Sequence, residues 1–239
     1  MIAITESRVE LMSSPENLKK IIYTAYRTCY SPDGAGKIWD TSVSPEKMLD
    51  LILKFGGAHD SPLEHAQFTF TIDGISRAAT HQIVRHRHMS FSQKSQRYVT
   101  EKGQFNHFVP DSILQKQLDL RFNEFMGDVQ DYYDELISMG IPAEDARYIL
   151  PNAATSSMVA SLNLRELIHL ANERLCTRAQ KEIRVTVKKM CELVIKKEPW
   201  LAPFLAPKCF RLGYCEEHNS CLSFPRKVEH GKTYWKAGE

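Results

Sequence analysis

No stretch of this 239-residue chain approaches the roughly 18 consecutive apolar residues that a membrane span needs. The opening residues, MIAITESRVELM, set Glu6, Arg8 and Glu10 among single apolar positions, so they lack the core of a secretory signal. A cytoplasmic protein is expected, and with it six cysteines that are reduced thiols rather than a disulfide framework. Net charge is also scarce. A formal +2 argues against a general nucleic-acid binder, whose basic face normally shows in the total. Internal repeats, low-complexity tracts and dividing linkers are absent, which implies a single domain over residues 1–239. The hydrophobic fraction of 43% and charged fraction of 25% allow a substantial core. The most informative absence is local. Between Asp73 and Glu101 there is no Asp or Glu, yet five Lys or Arg and three His fall there.

The patterning around that stretch is mixed. SSPENLKKIIYTAYRTCY reads as a helix, with Ser13 and Glu16 as a capping box, Pro15 in the first turn and Leu18, Ile21, Ile22 and Ala25 as its stripe. Ser44-Pro45 opens a second helix that Gly56-Gly57 stops. HAQFTFTID alternates strictly, placing Ala66, Phe68, Phe70 and Ile72 on one face of a half-buried strand that Gly74 ends. ISRAATHQIVRHR then predicts a helix running into the basic cluster. A long amphipathic helix is expected from Asp111 to Met139, stopped by Gly140, and a short one between Pro142 and Pro151. TSSMVASL suits a second strand. Asn163 caps LRELIHLANERL with Glu166 as its box partner, and a basic helix runs to about Lys197. Helices outnumber strands without alternating with them, so the fold class is α+β.

The cluster itself, RHRHMSFSQKSQRY, asks for a ligand. Cations at a helix C-terminus offset its dipole, which accounts for one or two of Arg85, His86, Arg87 and His88 but not for Lys94 and Arg97. Arginine forks match phosphate oxygens bidentately, Ser90, Ser92 and Ser95 add hydroxyls, and Gln82, Gln93 and Gln96 suit an amide edge such as a nucleobase or flavin. The residue types point to a nucleotide site.

Arg85-His86-Arg87, then seven residues, then Ser95, resembles the signature of flavin-dependent thymidylate synthases. His81-Gln82-Ile83-Val84 before it and Gln96-Arg97-Tyr98 after it resemble the same family. So do His59-Asp60-Ser61-Pro62-Leu63-Glu64-His65, Ala146-Arg147-Tyr148-Ile149-Leu150-Pro151, and Asn163-Leu164-Arg165 through His169 to Arg174, a match covering roughly Lys54 to Trp200. The resemblance implies a central, mostly antiparallel sheet flanked by helices. It implies methylation of dUMP to dTMP with 5,10-methylenetetrahydrofolate as methylene donor, and FAD reduced by NADPH as hydride source. It places dUMP against Gln82, Ile83, Val84, Arg85, Gln93, Lys94, Ser95, Gln96, Arg97, Arg147 and Arg174. It places FAD against Ser61, Arg85, His86, Arg87, Gln93, Asn163, Leu164, Arg165 and His169, with Arg174 as the catalytic residue. At position 93 some members carry Glu, so a charged contact becomes neutral here. A homotetramer with shared active sites is implied, with no nucleic acid, membrane or metal.

Other readings compete with this one. Cys176, two residues past Arg174, could be the thiolate nucleophile of a classical thymidylate synthase, but between Leu175 and Thr177 it reads as inert core. His59-Asp60 with His65, His81 and His86 suggests a metal-dependent phosphohydrolase, which the surrounding cations oppose. A non-catalytic RNA-binding module would use Arg85, Arg87, Lys94 and Arg97 with Phe91 and Tyr98, where aromatic interleaving is thin. In the extension from about 205 to 239, Cys209, Cys215, His218 and Cys221 could be free thiols or zinc ligands lacking the usual close Cys pair.

Overall fold

The computed structural model describes residues 3–55 and 59–226. Its strands are β1 (Ala3–Ile4), β2 (Arg8–Ser13), β3 (Gln67–Ser76), β4 (Met89–Gln93), β5 (His107–Phe108) and β6 (Thr155–Asn163). Its helices are α1 (Leu18–Thr28), α2 (Ala35–Asp40), α3 (Pro45–Phe55), α4 (Arg77–Ile83), α5 (Asp111–Gln115), α6 (Asp119–Ser138), α7 (Ala143–Ala146), α8 (Leu164–Arg174), α9 (Lys181–Lys197) and α10 (Lys208–Leu212). Four strands form an antiparallel sheet in the order β2-β3-β6-β4, with β1 and β5 paired in parallel as a separate ribbon. The expected α+β class holds.

Period-two alternation explains the centre of this sheet. Phe68, Phe70 and Ile72 of β3 stand directly opposite Leu162, Ala160 and Met158 of β6, and all six are buried. That face packs with Leu18, Ile22 and Tyr26 of α1, Leu164, Leu167 and Leu170 of α8, and Ile183, Val187, Met190 and Val194 of α9 in one core. On the other face Thr69 and Ser161 share a hydrogen bond of 3.0 Å.

Gly74 does not end β3. The strand continues to Ser76, and Gly74 sits in a bulge at φ 72°, between the Asp73–Ser157 and Ile75–Ser156 pairings. A Cβ there would need the left-handed region and would meet Ile4 Cδ1 at 3.2 Å. Gly74→Ala is therefore expected to cost roughly 1–2 kcal/mol. Urea unfolding should show a lower midpoint with an unchanged slope, and an unchanged midpoint would refute the claim.

Three more expectations need correcting. Ser13 closes β2, and α1 begins at Leu18 after an Asn17 N-cap that makes no side-chain cap, so the proposed box with Glu16 does not form. The strand β2 takes the residue that the helix pattern had claimed. The long helix from Asp111 to Met139 is two helices, because Gln117 adopts φ 55° and breaks the run between α5 and α6. Finally, α4 stops at Ile83, so Arg85 to His88 lie in a turn followed by β4 rather than on a helix. The Gly56-Gly57 stop after α3 falls outside the described residues.

Candidate active site

The basic cluster is shaped by what holds its two ends. Ser76 caps α4 by accepting a hydrogen bond from the Ala79 N–H at 3.1 Å, and its own N–H and hydroxyl donate to Glu182 at 2.7 and 2.6 Å. After α4 the N–H groups of Arg85 and His86 turn back to the carbonyls of Gln82 and Ile83 at 3.3 and 3.1 Å. This tight turn sends His86 inward, with 6% of its surface exposed, and leaves Arg85 and Arg87 outside.

Inside, His86 bridges two residues of α8. Its Nδ1 lies 3.0 Å from Glu166 Oε1, and Arg174 Nε donates to its Nε2 at 3.0 Å. An arginine nitrogen can only donate, so Nε2 is the acceptor and Nδ1 carries the proton toward Glu166. The imidazole is therefore neutral, and the pair is a hydrogen bond to a carboxylate rather than an ion pair. Burial holds the His86 pKa below the usual histidine value and the Arg174 charge adds to that, against the raising effect of Glu166. His169 completes the group, its ring centre 5.5 Å from that of His86. Asn163 does cap α8 by accepting from the Glu166 N–H at 2.9 Å. The Glu166 side chain, however, turns to His86 instead of closing the box.

The cluster also has acid partners that no local reading could supply. Lys94 pairs with Glu101 at 2.6 Å and Arg97 with Glu144 at 3.0 Å, while Arg147 Nε donates to the Glu144 carbonyl at 3.0 Å. The expectation of wholly unanswered charge is thus corrected for Lys94 and Arg97. Arg85 and Arg87 keep no acid within ion-pair reach among the described residues.

The predicted residues fall into two groups. His86, His169 and Arg174 share one network, with Asn163 and Arg165 beside it and Arg165 paired to Glu64. Ser61, itself exposed, opens the 3-10 turn Ser61–His65 nearby, whose Pro62 and Leu63 are buried. Lys94, Ser95, Arg97 and Arg147 form the other group, where Ser95 Oγ accepts from the Arg97 N–H at 3.2 Å. No hydrogen bond or ion pair joins the groups among the described residues. Gln82 binds Gln180, Val84 is exposed and Gln96 half-buried. The Ile83 and Leu164 side chains are wholly buried in the core, so only their backbone could meet a ligand.

The ligating atoms of His86, Glu166 and His169 lie within 4.8 Å of one another. A metal does not fit there, because both His86 nitrogens are already engaged. A flavin nucleotide fits better. A polar cavity of about 570 Å³, lined by His88, Asn163, Arg165, His169 and Arg211, shares Asp60, Arg165, Ile168 and Arg211 with an apolar cavity of about 190 Å³ walled by Leu63, Trp200 and Phe204. Gln93 Nε2, at a predicted contact position, is buried without a protein partner. The polar cavity also carries Asp60, Glu64, Glu166 and Glu173, so it offers acceptors for hydroxyls and ring-edge donors beside its cations, and the apolar cavity next to it suits a planar ring.

A family model described as thymidylate synthase complementing protein matches residues 10–200. The chain belongs to this family. Among its relatives, a flavin-dependent thymidylate synthase of Nitratidesulfovibrio vulgaris is 41% identical over 92% of this chain and 96% of its own. Another, of Geobacter sulfurreducens, is 40% identical over 88% and 91%. The fold is likewise that of a UMP/dUMP methylase, PolB, from Streptomyces cacaoi bound with 5-Br dUMP, with a TM-score of 0.73 at 22% identity over 82% of this chain and 93% of that one. Sequence reasoning found the family signature but took Glu166 only for a cap, and overlooked Glu101 and Glu144. No local pattern marks those acids, since their partners lie 7, 47 and 80 residues away.

Proposed function

We propose that this chain is a flavin-dependent thymidylate synthase that converts dUMP to dTMP, taking a methylene from 5,10-methylenetetrahydrofolate. Bound FAD, reduced by NADPH, supplies the hydride that completes the methyl group. The observation that supports this best is Arg174, whose Nε is fixed by neutral His86 while its two terminal nitrogens have no partner among the described residues. A guanidinium so held stabilises negative charge on the pyrimidine, which makes C5 more electron-rich toward the methylene. Arginine cannot take up a proton at neutral pH, so the contribution is electrostatic.

Arg85 and Arg87, without acid partners among the described residues, suit the phosphates of the nucleotide and the flavin. Gln82, Gln93, Lys94, Ser95, Gln96, Arg97 and Arg147 serve dUMP, with backbone contributions at Ile83 and Val84. Ser61, Gln93, Arg165 and His169 serve FAD, with Asn163 and the Leu164 backbone at the start of α8; His86, both of its ring nitrogens engaged, serves it through its backbone and through the position it gives Arg174. The separation of the two residue groups favours a homotetramer whose sites draw on several subunits. The α5–α6 region carries the apolar surface such contacts require, with Leu118, Leu120, Phe125, Tyr132 and Met139 all exposed. No helix among the described residues is long and apolar enough to cross a membrane, and a cytoplasmic location suits the substrates. Residues 1–239 form one such domain, with an extension from about 205.

An anaerobic visible spectrum of protein reconstituted with FAD provides the test. Bound flavin should bleach on adding NADPH, and bleach faster when dUMP is present. Protein that never retains FAD would overturn the reading.

A further inference from the structure

Beyond Trp200, where the sequence resemblance stops, the chain turns back to the cavities of the candidate site. Packing fixes this segment. Leu201 and Leu205 are buried in the main core, and the Trp200 ring meets that of Phe204 edge-on with centres 6.2 Å apart. Pro207 precedes α10, and Gly213, at φ 73°, ends it with its N–H donating to the Cys209 carbonyl at 2.9 Å. This short helix lies against α8 and sets Lys208 and Arg211 in the wall of the polar cavity of about 570 Å³.

The basic side chains of that wall are not equivalent. Arg165 is paired with Glu64 and Lys208 with Glu216, whereas Arg211 has no acid within ion-pair reach among the described residues. Position separates them as well. Arg211 and Arg165, with Asp60 and Ile168, line both the polar cavity and the apolar one of about 190 Å³, so they stand where the two meet. Lys208, with Asn172 and Glu173, instead borders the polar cavity and a further one beside Cys176, a turn along α8 from Ile168. The acids do not cancel the difference. Glu64 and Glu166 are engaged by Arg165 and His86, Glu173 belongs to the Lys208 end, and Asp60 has a partner of its own. Arg211 is therefore the cation at the junction whose charge is unanswered among the described residues.

A guanidinium placed between a polar and an apolar cavity selects an anion that joins a polar chain to a flat ring. The pyrophosphate of a dinucleotide has that form, and the arginine fork matches phosphate oxygens bidentately. We infer, on the reading that FAD occupies these cavities, that Arg211 binds the pyrophosphate of FAD where they join. The extension then forms one wall of the cofactor site, and the site gains a contact from outside the family signature.

FAD titrated into flavin-stripped full-length protein, followed by flavin fluorescence, tests this. Arg211→Ala should weaken FAD binding by roughly 10- to 100-fold, the loss of one charge-assisted contact. Arg211→Lys should fall between wild type and alanine, and Arg211→Glu should bind more weakly than alanine. A phosphate imposes that order and a packing role does not. Arg211 is exposed, so the melting temperature should stay the same throughout the series. Lys208→Ala should weaken FAD less than Arg211→Ala does. Equal FAD affinity in wild type and the Arg211 variants would overturn this role, even if the KM for NADPH rose instead. So would a loss with Lys208→Ala as large as that with Arg211→Ala, which would make the effect one of general charge. Wild-type protein that never binds FAD would instead overturn the occupancy of the cavities by FAD.

Discussion

Arg174→Ala should lower turnover by roughly 100- to 1,000-fold, the usual effect of losing one preorganised charge-stabilising donor. The argument rests on placement. Arg174 ends α8 half-buried, and a 3.0 Å bond from its Nε to His86 fixes the plane of the guanidinium before any ligand arrives. Because the charge it answers grows as the pyrimidine becomes nucleophilic, kcat should fall more than KM rises. Arg174→Lys should recover part of the loss, since an ammonium keeps the charge but has neither the fork nor the Nε–H that His86 accepts. Equal losses in kcat with alanine and lysine would mean that orientation matters and charge does not. Full activity in the alanine variant would remove Arg174 from catalysis.

The same bond predicts an acid limit. As pH falls through the lowered pKa of His86, its Nε2 gains a proton and can no longer accept from Arg174, so two cations then face each other. The folded pKa lies below the ordinary 6.5, so this stabilisation is complete above that value and is lost as pH drops through the folded one.

A second large effect is expected at Glu182, for stability rather than turnover. Its carboxylate accepts both the N–H and the hydroxyl of Ser76, the residue at which β3 becomes α4. Glu182→Ala leaves a buried N–H and hydroxyl unanswered and should cost roughly 2–4 kcal/mol. At about 2–4 °C per kcal/mol for a chain this size, the melting temperature should fall by roughly 5–15 °C. Glu182→Gln keeps an acceptor and should lose far less. Burial raises the Glu182 pKa above 4.5, outweighing the lowering effect of the Ser76 bonds. The folded state thus holds its proton longer than the unfolded chain. Its contribution is complete below about pH 4.5 and declines as pH rises through the folded value, so wild type should lose ground to the glutamine variant over that window. Parallel melting curves for the two proteins across it would show that Glu182 does not titrate there.

Strong, uninterrupted periodicity was readable without the structure. The alternation in β3, the small and β-branched composition of β6 and the Asn163 start of α8 were evident in the sequence because each depends on near neighbours. The strand β4 was hidden because its five residues, MSFSQ, include three polar ones and follow a segment with helical spacing. The break at Gln117 lacks Gly or Pro, the usual marks of a positive φ. In the site, Arg85, His86, Arg87 and Arg174 were identifiable from the family signature, but their electrostatic surroundings were not. Glu166, Glu101 and Glu144 reach their partners only through the packing of α8, the loop after β4 and α7.

The bulge at Gly74 has a bearing on how this family can tolerate insertions and deletions. β3 carries one residue more than β6 requires between the Asp73–Ser157 and Ile75–Ser156 pairings. Deleting that residue would make the ladder regular and leave every hydrophobic residue in place. Ile75 and Ser76 already pair with Ser156 and Thr155, so their faces would not change, and the ladder would lose only the local bend that the extra residue gives β3. Because α4 starts directly after that bend, what a deletion would alter is the angle at which α4 and the His86 turn approach α8.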